Sequence, residues 1–131
     1  MTRLKDRMDA IVGDGRYRSE ADARAAAEAV RLALPGGAVW DIKAEYDRDD
    51  REWTWEMKAN GMEVSPSIER GRFHAVFRYE IVAQGNKFER TFTGMGVAND
   101  PVDAMRLALG AAEQSMQSAI ALLARAKRMV G

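Results

Sequence analysis

The chain has no cysteine, which excludes a disulfide framework and any thiolate metal site. It has no net charge: twenty basic and twenty acidic residues cancel. That balance argues against tight, sequence-blind binding to duplex nucleic acid, which needs a basic excess. There is no apolar run of the ~18 residues that a membrane span requires. The first residues, Met1 to Arg7, have no apolar run behind them, unlike a signal peptide. A soluble, cytoplasmic protein is the expectation. Proline is scarce, and each of the three marks a boundary: Pro35 and Pro66 fall at breaks, and Pro101 opens a helix.

What is present suits one ordinary domain. The length is 131 residues, 47% of them apolar and 31% charged, enough to bury a core. Arginine, alanine and glycine are frequent and lysine is scarce, a hint of a GC-rich bacterial or phage genome. No internal repeat or low-complexity segment interrupts a single domain spanning 1–131.

Residues 2–12 place Leu4, Met8, Ile11 and Val12 on one helical face, ended by Gly13-Asp14-Gly15. Ser19 then caps a second helix, with Asp22 at the capping-box position. Its buried stripe is Ala23, Ala26, Ala27, Val30, Ala33 and Leu34. Residues 38–47 and 52–59 alternate apolar and polar side chains, the pattern of strands with one wet face. A four-residue loop, Arg48 to Arg51, sets Tyr46 against Trp53, Ala44 against Trp55 and Ile42 against Met57. It also sets Lys43 against Glu56 and Asp41 against Lys58. A two-residue loop would oppose like charges, which is destabilising, so the longer loop is expected. Asn60-Gly61 is a turn signal, and Met62 to Val64 reads as a brief extension of the sheet. Residues 72–82 and 87–97 read as a second hairpin in which a two-residue Gly85-Asn86 turn sets Tyr79 facing Phe92 and Phe77 facing Gly94. Trp40, Trp55, Phe77, Tyr79 and Phe92 share the face expected under the helices.

Residues 99–130 read as one long helix. Asn99 or Asp100 caps it and no proline follows Pro101. Val102, Met105, Leu109, Ala112, Met116, Ala119, Leu123, Ala126 and Val130 recur in alternating steps of three and four, a heptad seam. At 1.5 Å per residue such a helix is ~45 Å long, whereas strands of ten residues span ~33 Å. The helix should therefore overhang the sheet. Gly94 and Gly96 leave room for it to pass close. The expected fold is α+β: helix, helix, four antiparallel strands in two hairpins, then the long helix, with the helices on one face.

Chemistry-bearing patterns are sparse. His74 is the only histidine and has no evident acid, base or nucleophile beside it. Asp47, Asp49, Asp50 and Glu52 lack the glycine and spacing of a calcium loop, and Arg48 and Arg51 interleave them. Gly94-x-Gly96 precedes a helix start, but no third glycine completes a dinucleotide pattern, and Asp100 and Asp103 repel phosphate. No catalytic, metal or cofactor residues are expected. Arg125, Lys127 and Arg128 complement the negative end of the helix dipole.

The order of helix, strands and helix, with Gly94-Met95-Gly96 before an alanine-rich helix, resembles the double-stranded-RNA-binding domain. That family places a lysine cluster at the start of its last helix; the matching place here holds Asn99, Asp100 and Asp103. The second half is also similar to Sak-type phage recombinases and related single-strand annealing proteins. The features are Gly71-Arg72-Phe73 and Arg78, then Phe88-Glu89 leading to Gly94-Met95-Gly96-Val97. A helix with Ala104, Ala108, Ala112 and Ala119 follows, ending in Arg125 to Gly131. That resemblance implies a ring-forming protein that binds single-stranded DNA along a basic groove. Arg72, Arg78, Arg90, Arg125, Lys127 and Arg128 would carry the binding.

The residues themselves point first to a non-enzymatic protein-interaction module, such as an adaptor or inhibitor from a phage or mobile element. Its overhanging helix must bury Ile120, Leu123, Met129 and Val130 against the N-terminal helix or a second subunit. A homodimer or larger assembly is favoured, and single-stranded nucleic-acid binding is the alternative.

Overall fold

The structure, a computed structural model, describes residues 12–34, 36, 39–83 and 88–131, with side chains for all of these except 81–83 and 88–90. The helix expected over 2–12 and the turn at Gly85-Asn86 lie outside the described residues. Ser19 takes an extended backbone, and its hydroxyl accepts a hydrogen bond from the Asp22 amide at 3.1 Å. Helix α1 (Glu20–Arg31) follows and buries Ala23, Ala26, Ala27 and Val30. An alanine stripe of this kind brings a helix backbone close to its neighbour.

Five strands come next, not four: β1 (Asp41–Asp47), β2 (Glu52–Ala59), β3 (Met62–Pro66), β4 (Phe73–Ala83) and β5 (Phe88–Ala98). The difference lies at Met62–Pro66. Five residues ending in proline look too short for a central strand, yet β3 pairs on both sides. It makes Met57–Val64 with β2 and Val64–Ala75 with β4. Strand order equals chain order, an antiparallel meander. Asn60 and Gly61 both take positive φ, 51° and 84°, as a two-residue hairpin turn requires.

The registers argued from charge and aromatic pairing are present. Tyr46 opposes Trp53, Ala44 opposes Trp55, Lys43 opposes Glu56 and Asp41 opposes Lys58. Phe77 opposes Gly94 and Tyr79 opposes Phe92. The ion pairs do not simply follow the β1–β2 rungs. Lys58 bridges Glu56 and Glu63, at 3.6 and 3.4 Å, and Lys43 bridges Glu45 along its own strand at 3.5 Å.

Where β3 turns away after Pro66, the N-terminal segment completes the ladder. Tyr17 exchanges both backbone hydrogen bonds with Trp53, at 2.9 and 2.7 Å. Its hydroxyl donates to the Val12 carbonyl at 2.6 Å and accepts from the Trp55 indole at 3.2 Å.

Helix α2 (Pro101–Val130) runs back over β4 and β5, beside α1 on the same face. One apolar core joins Ala26, Ala27 and Val30 of α1 to Trp55, Met57, Val64 and Ala75 of the sheet and Ala104 and Ala108 of α2. Tyr79 departs from the expectation that it is covered: it is 44% exposed, because β4 extends past the ends of β2 and β3.

Candidate interaction site

Helix α2 carries most of the surface that needs an explanation. Asp100 caps it, its carboxylate accepting from the amides of Val102 and Asp103 at 2.8 and 3.2 Å. Pro101 fills the first turn and Lys127 and Arg128 the last, each end suited to the helix dipole.

The helix is seated differently from a heptad seam. Its buried residues are Pro101, Ala104, Met105, Ala108 and Ala112. Leu109, Leu123, Ala126 and Val130, all members of the seam, are exposed. Gly94 and Gly96 are the cause. A Cβ at Gly94 would run into the Ala108 carbonyl, and one at Gly96 into that of Ala104. Without those side chains the helix settles backbone to backbone along its alanines; Met105 and Ala112 of the seam stay buried, while Leu109 and Leu123 roll outward.

Everything beyond Ala112 is exposed or half-buried. The uncovered stretch therefore begins about two turns before Ile120, where sequence alone placed it. Ile120 is 65% exposed and Leu123 56%, and Met129 and Val130 are almost fully open. Of the thirteen large hydrophobic side chains exposed among the described residues, seven belong to α2. They divide between two flanks. Leu109 lines a groove of about 380 Å³ with Met105, Trp40, Ala59, Met62 and Phe77, and Ile120 and Leu123 continue that inner flank at helical spacing. Leu107 and Leu122 lie on the outer flank, Leu107 above Gly96. The Trp40 indole N–H is buried without a partner; because it is closed to solvent, it is not presented to the groove.

The basic residues do not converge. Arg72 sits where β4 begins, its guanidinium held by Glu69 at 2.7 Å and by Asn99 at 3.3 Å. Arg125, Lys127 and Arg128 end the helix, about 36 Å away along its axis at 1.5 Å per residue. Arg78 is exposed on the opposite face of the sheet from α2. Arg90 stands opposite Ile81 in the ladder, and its side chain lies outside the described residues. Among the described side chains, Arg72, Arg78, Arg125, Lys127 and Arg128 line no common groove.

His74 is half-buried on the open face of the sheet, opposite Ser65 and Val97. The acidic tip is a turn, in which one Asp47 carboxylate oxygen accepts from the amides of Asp49 and Asp50. Among the described residues no three acidic or histidine side chains gather as metal ligands. No described helix is long and apolar enough to cross a membrane. On the open face, burial and the neighbouring Glu45 push the Glu56 carboxyl above its ordinary range, and Glu56 and Glu63 raise Lys58.

Comparisons with protein-family models, with curated proteins and with solved structures found no match.

The outer rim is not evident from the periodicity: Leu107 and Leu122 on α2, and Met95, 62% exposed on β5. The usable signal was the uncharged run Thr91 to Ala98.

Proposed function

We propose that this protein is a non-enzymatic interaction module that self-associates through α2. One observation carries the reading: the helix is anchored by an alanine row along its first half and exposes leucine, isoleucine and methionine on both flanks. A helix with its apolar stripe satisfied should be polar elsewhere, and a large exposed apolar surface marks an interaction site. The dispersed arginines give no support to a nucleic-acid groove. Sedimentation equilibrium at micromolar concentration tests the proposal. Self-association is expected for the native chain and lost in Ile120→Glu/Leu122→Glu, which places one charge on each flank. A native chain that stays monomeric sinks the proposal.

A further inference from the structure

In an antiparallel sheet a residue directs its N–H and C=O to one neighbouring strand, and the next residue directs them to the other. The Arg78 amide donates to the Gly61 carbonyl at 3.0 Å, so the even-numbered residues of β4 serve the β3 side. Its odd-numbered residues, Ala75, Phe77 and Tyr79, serve β5 and engage Gly96, Gly94 and Phe92. The backbone groups of Thr91, Thr93, Met95 and Val97 therefore point away from the sheet, because β5 is its last strand among the described residues.

The two edges of the sheet are built differently. β1 carries Asp41, Lys43, Glu45 and Asp47, a charge at every second position. Such charges keep an edge from pairing. β5 has neither charge nor proline from Thr91 to Ala98. Apolar surface lies on both sides of that edge. Leu107 stands above it, with Ala111, Ser115 and Ser118 following on the same flank of α2; Met95 lies below, open to solvent. The small residues leave space for a second helix.

We propose that β5 pairs antiparallel with β5 of a second copy of this chain, about a twofold axis at Gly94. The inference rests on the self-association proposed above and assigns the contact to the strand edge and the outer flank of α2. Thr93 then stands opposite the partner subunit's Met95, and Thr91 opposite the partner subunit's Val97. This register matches the four uncharged edge residues among themselves and leaves Glu89 outside the ladder. It also sets Phe92 against the partner subunit's Gly96, the same aromatic-on-glycine fit that Phe77 and Gly94 make within the chain. Two five-stranded sheets become one, and the interface is isologous, so it closes at a dimer.

The test compares Thr93→Lys and Thr93→Pro with Ile120→Glu/Leu123→Glu, which alters only the inner flank. Thr93 is exposed and its N–H faces outward, so an edge proline leaves the chain's own ladder intact; far-UV circular dichroism checks that each variant folds. The readouts are sedimentation equilibrium and hydrogen exchange at the four edge amides. The expected result is a native dimer with those amides protected, a monomer for both Thr93 variants, and a dimer for the inner-flank variant. A dimer that survives Thr93→Lys overturns the inference, and if Ile120→Glu/Leu122→Glu still abolishes that dimer, self-association through α2 stands without it. A native monomer overturns both, leaving the edge to an extended segment of another protein.

Discussion

A methyl group on Gly94 would lie 2.9 Å from the Cβ of Ala112 and closer still to the backbone of the turn before it. Backbone atoms cannot swing aside as a long side chain can. Gly94→Ala and Gly96→Ala are therefore each expected to cost about 1–3 kcal/mol as overpacking of the core. Urea unfolding followed by tryptophan fluorescence measures it, and an unchanged midpoint would show that α2 does not sit on these glycines. Gly110 supplies the contrast. It is exposed, with nothing within 4 Å of a built Cβ. Gly110→Ala should stabilise the chain by about 0.5–1 kcal/mol through helix propensity alone.

Besides its two backbone hydrogen bonds with Trp53, Tyr17 ties its segment to the core through the hydroxyl. Tyr17→Phe removes the acceptor of the Trp55 indole N–H, whose side chain is fully buried. An unpaired buried donor costs about 1–3 kcal/mol, and a loss of that size is expected in equilibrium unfolding. Burial raises the Tyr17 pKa above its ordinary 10.0. The group therefore contributes stability that is complete below pH 10 and lost as pH rises through the folded value. Tyr17→Phe should flatten the alkaline limb of the stability profile; an identical limb in both proteins would contradict the assignment.

Glu56 has the same sign at the other end of the scale. Its folded pKa lies above the ordinary 4.5, through burial first and Glu45 second. Its favourable contribution is complete below the unfolded value and disappears as pH rises through the folded one. Near neutral pH the ionised carboxylate is a liability beside Glu45 and Glu63. Glu56→Gln should raise thermal stability at neutral pH and lose that advantage in acid. The loss of its ion pair with Lys58 offsets little, since that lysine is exposed and keeps Glu63.

Separated cations predict weak contact with nucleic acid. A labelled single-stranded oligonucleotide titrated at two salt concentrations should show little binding at either, because each phosphate neutralised adds to the salt slope. Tight binding at low salt that collapses at high salt would reinstate a basic groove and point to Arg125, Lys127 and Arg128 first.

Much of this fold is legible in the residues because the signals are local. Charge alternation on β1 and β2 selects one register, Ser19 and Asp100 announce their helices, and Gly94 and Gly96 mark where a helix must come close. β3 was not legible as a strand of its own, since its pairing depends on neighbours on both sides and its end on Pro66. The roll of α2 was hidden for a related reason. Periodicity favours the bulkiest residues, whereas the contact is decided by the smallest ones, Ala104, Ala108 and Ala112 against two glycines. The surfaces were only half legible: Ile120 and Leu123 stand out in the sequence, but that β5 is an edge is a property of the whole sheet.

The meander has a kinetic consequence. Every strand pairs with its neighbour in the chain, and α2 packs on the hairpin made just before it, so most of the sheet forms through short loop closures. Chains dominated by such near contacts fold quickly. Within the described ladder Tyr17 is the exception, since its rung with Trp53 joins residues on either side of α1 and β1. The Tyr17 strap should therefore close over Trp55 late on the folding route, after the meander has formed.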